Sequence, residues 1–447
     1  MRRILGLELR RSAAPGILLV LLATGLIMAY VATSRWAPSW MSLAMVQREY
    51  LILLWPLALA AGAWQGRREG KSKVGELFAG TPRPAAQRML PTAGALAIAV
   101  VGAYVAMAAA GAPMLVIGNA EYLPAEVFAV AAVGALAMIA AVWIGLAVGR
   151  SAPNLWTAPA LGVAGLGLIL LVPVLAGDRV WYSQILAPSY GMGVYTDYQT
   201  IDNRVSAAQA IWLVALAGTG LVLLMTGSWR TRLAALLPVA LGLAAAVAVV
   251  PRSPDGVRNP IDRVAQELVC SDGTPEVCVS RVHSGLLPEA TTLGRRALGL
   301  LAKVPGTPTV VHEDTTTYLP LTLPPRNDDV VLMDVRTTGN GRIADERLTL
   351  MNMLQGAGAR NPACESGGDF EAERAAAWWL LGAEPIPEMK LDTSIFEMDP
   401  ATDTRILELW RGLEKLPEQE AAARLAELRR GLLACEDVTG VLTRSAS

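Results

Sequence analysis

Charged residues are missing from long parts of this sequence. Seven segments contain no Asp, Glu, Lys, Arg or His. They are Ser12–Ser34, Tyr50–Gly66, Met89–Ala120, Val127–Gly149, Ser151–Gly177, Val205–Trp229 and Leu233–Pro251. Since about 20 apolar residues cross a hydrocarbon layer as a helix, each segment predicts a membrane span. The missing charges exclude carriers that keep ionisable groups at membrane depth, and they exclude intramembrane proteolysis by carboxylates, a Ser–His pair or metal ligands.

Histidine is also scarce, because His283 and His312 are the only two in the chain. A zinc-protease helix starting at His312 needs a second histidine at position 316, which is Thr316. A phosphate-binding loop ending at Ser72 needs a glycine at position 65, which is Gln65. We therefore expect no enzyme activity, no cofactor, no metal site and no nucleic-acid partner.

Cysteine is absent from the part of the chain that holds the spans. All four cysteines, Cys270, Cys278, Cys364 and Cys435, follow the last span. An even number confined to one domain is typical of disulfides in an oxidising compartment. Of the three possible connectivities, the turn-like sequence 271–275 favours Cys270–Cys278, which leaves Cys364–Cys435. The alternative is four free buried thiols.

Basic residues are distributed unevenly between the two faces of the predicted bundle. The loops on one face carry 13 Lys and Arg, whereas those on the other carry only Arg35, Arg48, Arg179 and Arg204. The positive-inside rule places the first face in the cytoplasm. The sequence therefore predicts a multi-pass protein of the plasma membrane, with a cytoplasmic N-terminus and an extracytoplasmic C-terminal domain.

These patterns divide the chain into four parts. Residues 1–11 interleave arginine with apolar residues, which predicts an interfacial helix on the cytoplasmic surface. Residues 12–230 hold six spans and residues 231–251 a seventh. Residues 252–447 predict a domain of mixed helix and strand. The fold class is thus an α-helical polytopic membrane protein of about seven spans, with a C-terminal extracytoplasmic α+β domain.

Local patterns predict elements within the C-terminal domain. Short β-branched runs predict strands at Thr309–His312 and Asp329–Val335. Apolar residues at helical spacing predict five helices. They are Thr292–Lys303, Arg342–Leu354, Phe370–Leu381, Thr402–Leu413 and Glu418–Leu433. Gly382 stands where a glycine commonly ends a helix.

The cytoplasmic segment Gly66–Arg88 has a distinctive order of residues. A charged stem with glycine leads into a short apolar-containing stretch, then Thr81-Pro82, then a basic return. In this layout, residues 1–230 resemble the membrane subunits of ABC transporters of the drug, polysaccharide and peptide exporter class. The alternative is a plain basic loop that obeys the positive-inside rule.

The resemblance implies that a short helix between spans two and three docks in a groove of a separate cytoplasmic ABC ATPase. The residues implied in docking are Glu76, Leu77, Phe78, Pro82, Arg83 and Arg88. It also implies a permease subunit that works as a homodimer or with a paralogous permease, surrounded by membrane lipid. The uncharged spans favour an amphipathic, lipid-like or peptide cargo.

The chain departs from that family by its seventh span and large outer domain. This difference supports a second hypothesis, a non-transporting membrane receptor or anchor whose outer domain binds a ligand. A membrane-bound hydrolase is the least supported hypothesis, because the outer domain shows no nucleophile–base motif. Loss of activity on changing His283 or His312 would favour it.

Overall fold

A computed structural model describes most of the chain as two compact units. The membrane unit comprises Met1–Ile117 and Leu123–Asp262, and the C-terminal unit comprises Gly118–Tyr122 and Arg263–Ser447. The described residues are 6, 8–9, 12–71, 85–177, 179–189, 191–193, 196–226, 229–252, 260–318, 321–324, 327–338, 341–360, 364, 368–392 and 399–443. The predicted interfacial helix 1–11 lies largely outside them.

The described part of the membrane unit is helical apart from its connections. Its helices are α1 Ala14–Val31, α2 Thr33–Trp36, α3 Trp40–Glu49, α4 Leu51–Lys71, α5 Ala85–Ile117, α6 Glu126–Ser151, α7 Thr157–Ala176, α8 Val180–Leu186, α9 Asn203–Met225, α10 Trp229–Ala234 and α11 Leu237–Val249.

Among the described residues, six stretches of helix are long and apolar enough to cross a membrane. They are Ala14–Val31, Met89–Ile117, Glu126–Ser151, Thr157–Ala176, Asn203–Met225 and Arg230–Val249. A seventh crossing is possible if α3 and α4, which meet at a bend of 50°, form one broken span. The chain is therefore a polytopic helical membrane protein whose described residues provide six spans, or seven if the bent pair counts as one.

Helix α6 lies at the centre of the membrane unit. It packs against α4 on one side and α9 on another, and it also contacts α3, α5 and α7. The outer members of the bundle attach in pairs, since α1 packs on α5, α7 on α4, and α11 on α9. Helices α1, α7 and α11 leave many large apolar side chains exposed. That exposure fits helices whose surroundings are hydrocarbon.

The C-terminal unit combines helices with a small sheet. Its helices are α12 Arg263–Gln266, α13 Leu287–Leu301, α14 Glu346–Leu354, α15 Phe370–Leu381, α16 Glu388–Leu391, α17 Pro400–Glu414 and α18 Glu418–Leu433, with 3-10 turns at Arg281–Leu286, Gln355–Ala357 and Val441–Thr443. Its strands are β1 Leu268–Cys270, β2 Val277–Ser280, β3 Val310–Glu313, β4 Thr317–Tyr318, β5 Leu321–Thr322 and β6 Val330–Met333.

The main sheet has the strand order β1-β2-β3-β6. Strands β2, β3 and β6 are parallel, and β1 pairs antiparallel with β2. Every residue of β2 is buried, as is usual for parallel strands covered on both faces. Apolar side chains of the sheet, of α13, α14, α15, α17 and α18 form one continuous core.

The helix patterns were more informative than the strand patterns. Helices α15 and α18 begin and end where the sequence predicts, and Gly382 closes α15 in the left-handed conformation. The predicted strands 309–312 and 329–335 correspond to β3 and β6. Strands β1 and β2 were not predicted, because each is too short to show an alternating pattern of its own.

The four cysteines form two disulfides in the C-terminal unit. Cys270 is bonded to Cys278 at 2.04 Å and Cys364 to Cys435 at 1.99 Å, the two pairings that the sequence favours. The first joins directly paired residues of β1 and β2. The second connects Cys435, two residues after the end of α18, to a segment 71 residues earlier in the chain.

The two disulfides should differ in what they contribute to stability. Closing the 71-residue separation restricts the unfolded chain more than closing one of 8 residues, with expected contributions of about 4 and about 2.5 kcal/mol. Changing Cys364 and Cys435 together to serine should therefore lower the denaturation midpoint of the C-terminal unit more than the matched double change at Cys270 and Cys278. Limited proteolysis of the full chain in urea measures the midpoints of both double variants. Equal decreases in the two midpoints would contradict the expectation.

Candidate functional site

Most of the predicted docking residues lie outside the described residues. This holds for Glu76, Leu77, Phe78, Pro82 and Arg83, and for the side chain of Arg88. The flanking helices are described, however. Helix α4 continues to Lys71 and α5 begins at Ala85, before the predicted start of its span. The segment 72–84 is thus bracketed by two helices of the bundle.

Helix α4 is held to α6 through four glycines, called here the glycine interface. On α4, a Cβ atom at Gly62 or Gly66 would overlap the backbone carbonyl of Val142 or Leu146. On α6, one at Gly145 or Gly149 would overlap the carbonyl of Leu59 or Ala63. The two backbones therefore touch over two turns, with a Gly-x-x-x-Gly pair on each helix.

This packing has a physical cause in the membrane. Lipid tails are as apolar as the helices, so burial alone drives little association between spans. Close backbone approach supplies van der Waals contact instead, and only residues without large side chains permit it. The result is that α4 and α6 are joined over the half of α4 that leads to segment 72–84.

The opposite end of α4 is fixed by a buried arginine. Arg48, near the end of α3, is 0% exposed. Its Nε and Nη2 donate to the carbonyl of Pro188 at 3.2 and 2.7 Å, Nη1 donates to the carbonyl of Val130 at 3.2 Å, and Nη2 also donates to Oε1 of Gln209 at 3.0 Å. These four residues form the Arg48 cluster.

The Arg48 cluster joins four parts of the membrane unit. Arg48 belongs to α3, Val130 to α6, Gln209 to α9, and Pro188 follows α8. Gln209 Nε2 in turn donates to the carbonyl of Gln184 at 2.7 Å, in the last turn of α8. The last carbonyls of a helix lack partners within it and carry partial negative charge, so the amide donor of Gln209 is favourable there.

The position of Arg48 corrects the sequence interpretation. The sequence pattern predicts Arg48 in a loop between spans, and it predicts spans without ionisable groups. In the structure Arg48 is helical and contacts Val130 and Gln209, which lie about 6 to 9 Å along α6 and α9 from their first residues. The missed signal was the pair Gln47-Arg48 at the end of an apolar run, together with an amide, Gln209, inside a predicted span.

An exposed ion pair lies close to this cluster in sequence and differs from it. Arg35 Nη2 lies 2.6 Å from Oε2 of Glu49, with the two side chains 42% and 33% exposed. Exposed pairs contribute little to stability, about 0 to 1 kcal/mol. Arg35 is therefore a useful comparison for Arg48, since only one of these arginines is enclosed.

Comparisons with protein-family models, with curated proteins and with solved structures found no match to this chain. The family resemblance therefore remains one of layout.

A buried Ser–His–Glu cluster in the C-terminal unit has the composition of a catalytic triad but not its geometry. His283 Nδ1 lies 2.6 Å from Oε1 of Glu313, and the Ser280 hydroxyl donates to Oε2 of the same carboxylate at 2.9 Å. In a triad the serine bonds to the other imidazole nitrogen. All three residues are buried. The cluster therefore connects β2, the 3-10 turn Arg281–Leu286 that follows it, and β3 as a structural unit.

Two further polar groups of this unit are accounted for by the bonds that they make to each other. Arg374 of α15 and Glu388 of α16 form a buried ion pair, in which Nε lies 3.2 Å from Oε2. Burial lowers the pKa of Arg374 and raises that of Glu388, and their mutual attraction opposes both shifts. The grouping of Cys270, Glu276 and Cys278 resembles a metal-ligand set, but its two sulfurs are bonded to each other and so offer no thiolates.

Proposed function

We propose that this protein is the membrane subunit of an ATP-driven transporter whose energy comes from a separate cytoplasmic ABC ATPase. The supporting observation is the continuity of α4, which leads from the bend beside the Arg48 cluster to the first residue before segment 72–84. A docked ATPase would then act on a segment that is attached to the bundle by a helix at each end.

The geometry of α4 explains how such a contact would move the bundle. Its 21 residues extend over about 30 Å. The glycine interface holds the half nearest the segment to α6, so displacement of the segment moves α4 and α6 as one body. Beyond the other end of α4, the Arg48 cluster connects α3, the helix that precedes α4, and α6 to α9 and to Pro188. Motion is thereby transmitted from the cytoplasmic face to the opposite end of the spans.

The proposed orientation places segment 72–84 in the cytoplasm and the C-terminal unit outside. The 13 Lys and Arg on the segment's face support this arrangement. The two disulfides support it independently, because such bonds persist in oxidising compartments. Two copies of the chain, or one copy and a paralogue, would enclose the path for an amphipathic, lipid-like or peptide cargo.

Copurification tests the proposed docking. The tagged full chain, extracted from native membranes, should bring down a protein with ABC ATPase activity. Changing Leu77 and Phe78 to Asp, or reversing the charges of Glu76 and Arg83, should abolish this association, because both remove contacts of the kind that form and orient interfaces. Arg232→Glu, a charge reversal in another predicted cytoplasmic loop, is the matched control.

The outcomes separate the two hypotheses from the sequence. Retained association in both docking variants would contradict the assigned docking residues. Recovery of no ATPase with the unaltered chain, while the chain remains folded, would contradict the transporter proposal and favour a receptor or anchor.

A further inference from the structure

An apolar groove opens on the surface of the membrane unit. It has a volume of about 660 Å³ and lies between α1, α4 and α7. Its walls include Gly16 and Val20 of α1, Leu57, Ala61 and Trp64 of α4, and Pro159 of α7. The volume lies within the range of about 300 to 1,000 Å³ that is typical of sites for organic ligands.

The groove occupies one half of the predicted membrane thickness. Its lining runs from Ser12, two residues before α1, to Leu21 of α1, which is about 14 Å at the rise of a helix. Half of a hydrocarbon layer of about 30 Å is nearly the same length. All three helices contribute the ends that the sequence predicts to be cytoplasmic. The groove therefore corresponds in depth to the chains of the inner lipid leaflet.

The groove is reached from the side of the bundle rather than from its interior. Trp64 is 45% exposed and Val20 57% exposed, although both line it. At membrane depth such side chains meet lipid and not water. An acyl chain is the apolar molecule present there at the highest concentration, so it is the occupant that the position favours.

A positive charge lies at the mouth of the groove. Arg68 stands one turn beyond Trp64 on α4, and its guanidinium carbon lies 5.1 Å from the centre of the indole ring. Stacking occupies the face of a guanidinium and leaves its N–H edge directed outward, where it matches a phosphate. Arg68 is exposed, and it lies on the side of the bundle that is rich in basic residues.

We propose that this groove binds one anionic glycerophospholipid of the inner leaflet, with an acyl chain between α1, α4 and α7 and its phosphate on Arg68. The apolar walls select a chain, and the arginine selects a headgroup with net negative charge. The site is independent of the transporter proposal, since it needs no ATPase. Its occupant would contact α4 next to segment 72–84, so the lipid composition of the leaflet would influence that helix.

Native mass spectrometry of the full chain tests the site. Protein in mild detergent is offered phosphatidylglycerol or phosphatidylcholine with identical acyl chains, and bound lipid is counted per chain. We expect each chain to retain one phosphatidylglycerol molecule tightly and to retain phosphatidylcholine more weakly. Arg68→Gln should reduce the preference for phosphatidylglycerol by about five-fold, the effect of one basic residue near an anionic surface. Arg232→Gln, an exposed arginine of α10, should not change it.

A second variant fills the groove without disturbing the helices. A Cβ atom at Gly16, which lines the groove, meets no atom within 4 Å, so Gly16→Leu adds apolar volume to the wall while improving helix propensity. It should abolish retention of both lipids. Gly167→Leu on α7 also meets open space but lies away from the groove, and it should bind lipid normally.

Three results would overturn the proposal. The first is equal retention of the two lipids by the unaltered chain. The second is unchanged retention in both Arg68→Gln and Gly16→Leu. The third is a shift of the monomer–dimer equilibrium in Gly16→Leu with lipid retention unchanged, which would identify a second copy of the chain as the occupant.

Discussion

Replacing Gly62 by leucine should prevent the membrane unit from assembling. Even the Cβ atom of the new side chain would overlap the carbonyl of Val142, and backbone atoms of two packed helices cannot move aside as a flexible side chain does. Overpacking in a close-packed interior costs about 1 to 3 kcal/mol, and more where the backbone is displaced. That amount is a large part of the total stability of a typical protein.

The measurement is the monodisperse fraction of the extracted chain and its apparent melting temperature. We expect Gly62→Ala to lower the melting temperature and Gly62→Leu to abolish the monodisperse peak. Gly218→Leu is the matched control, because a Cβ at Gly218 of α9 meets no atom within 4 Å. A stable, monodisperse Gly62→Leu protein would show that α4 and α6 do not pack through the glycine interface.

Replacing Arg48 by methionine should destabilise the membrane unit and uncouple its parts. Methionine keeps an unbranched apolar stem but is shorter and has no donors, so the carbonyl of Pro188 and the amide oxygen of Gln209 lose their partner. Each buried acceptor left without a donor costs about 1 to 3 kcal/mol. Removing the buried cation also relieves its own desolvation, which offsets part of the loss. The net expectation is a loss of about 2 to 4 kcal/mol.

A series of substitutions separates charge from geometry at this position. Arg48→Lys keeps the charge but not the planar fork that reaches three acceptors. Its melting temperature should therefore lie between those of the unaltered chain and Arg48→Met. Arg35→Met, which removes an exposed arginine paired with Glu49, should change the melting temperature little. If Arg48→Met melted like Arg35→Met, the cluster would not support the bundle.

Arg48 variants also test coupling. The Arg48 cluster lies at the end of α4 remote from segment 72–84, so ATPase association should persist in Arg48→Met while stimulated ATP hydrolysis by the complex falls. Loss of association together with hydrolysis would indicate that the variant disturbs the docking segment itself, and the transmission proposed along α4 would not be supported.

Sequence patterns predicted the elements whose signal is local. Absence of charge over about 20 residues identifies a span without reference to its neighbours, and a regular apolar stripe identified α18 in the same way. The pattern Gly62-x-x-x-Gly66 was equally visible in the chain. What a single sequence does not contain is the partner, because Gly145 and Gly149 are some 80 residues away and other glycines have similar spacing.

Arg48 is a second case in which the sequence shows a residue but not its distant partners. Its sequence neighbourhood is that of a loop arginine, with Glu49 beside it and an uncharged span after it. The position is buried because Pro188 and Gln209, which are distant in the chain, contact it. Strands β1 and β2 were missed for a related reason, since they are defined by pairing with each other and with β3. The docking segment stays a prediction, because it lies outside the described residues.

The Arg48 cluster has a consequence for how the protein is made. Pro188 and Gln209 follow Arg48 by 140 and 161 residues. At a synthesis rate of about 5 to 20 residues per second, the last acceptor is translated about 8 to 30 s after the arginine. A lone cation is costly in hydrocarbon, so during that interval the side chain must extend to the headgroups. The Arg48 cluster is therefore completed only after α9 has been synthesised, and until then Arg48 lacks the acceptors that Pro188 and Gln209 provide.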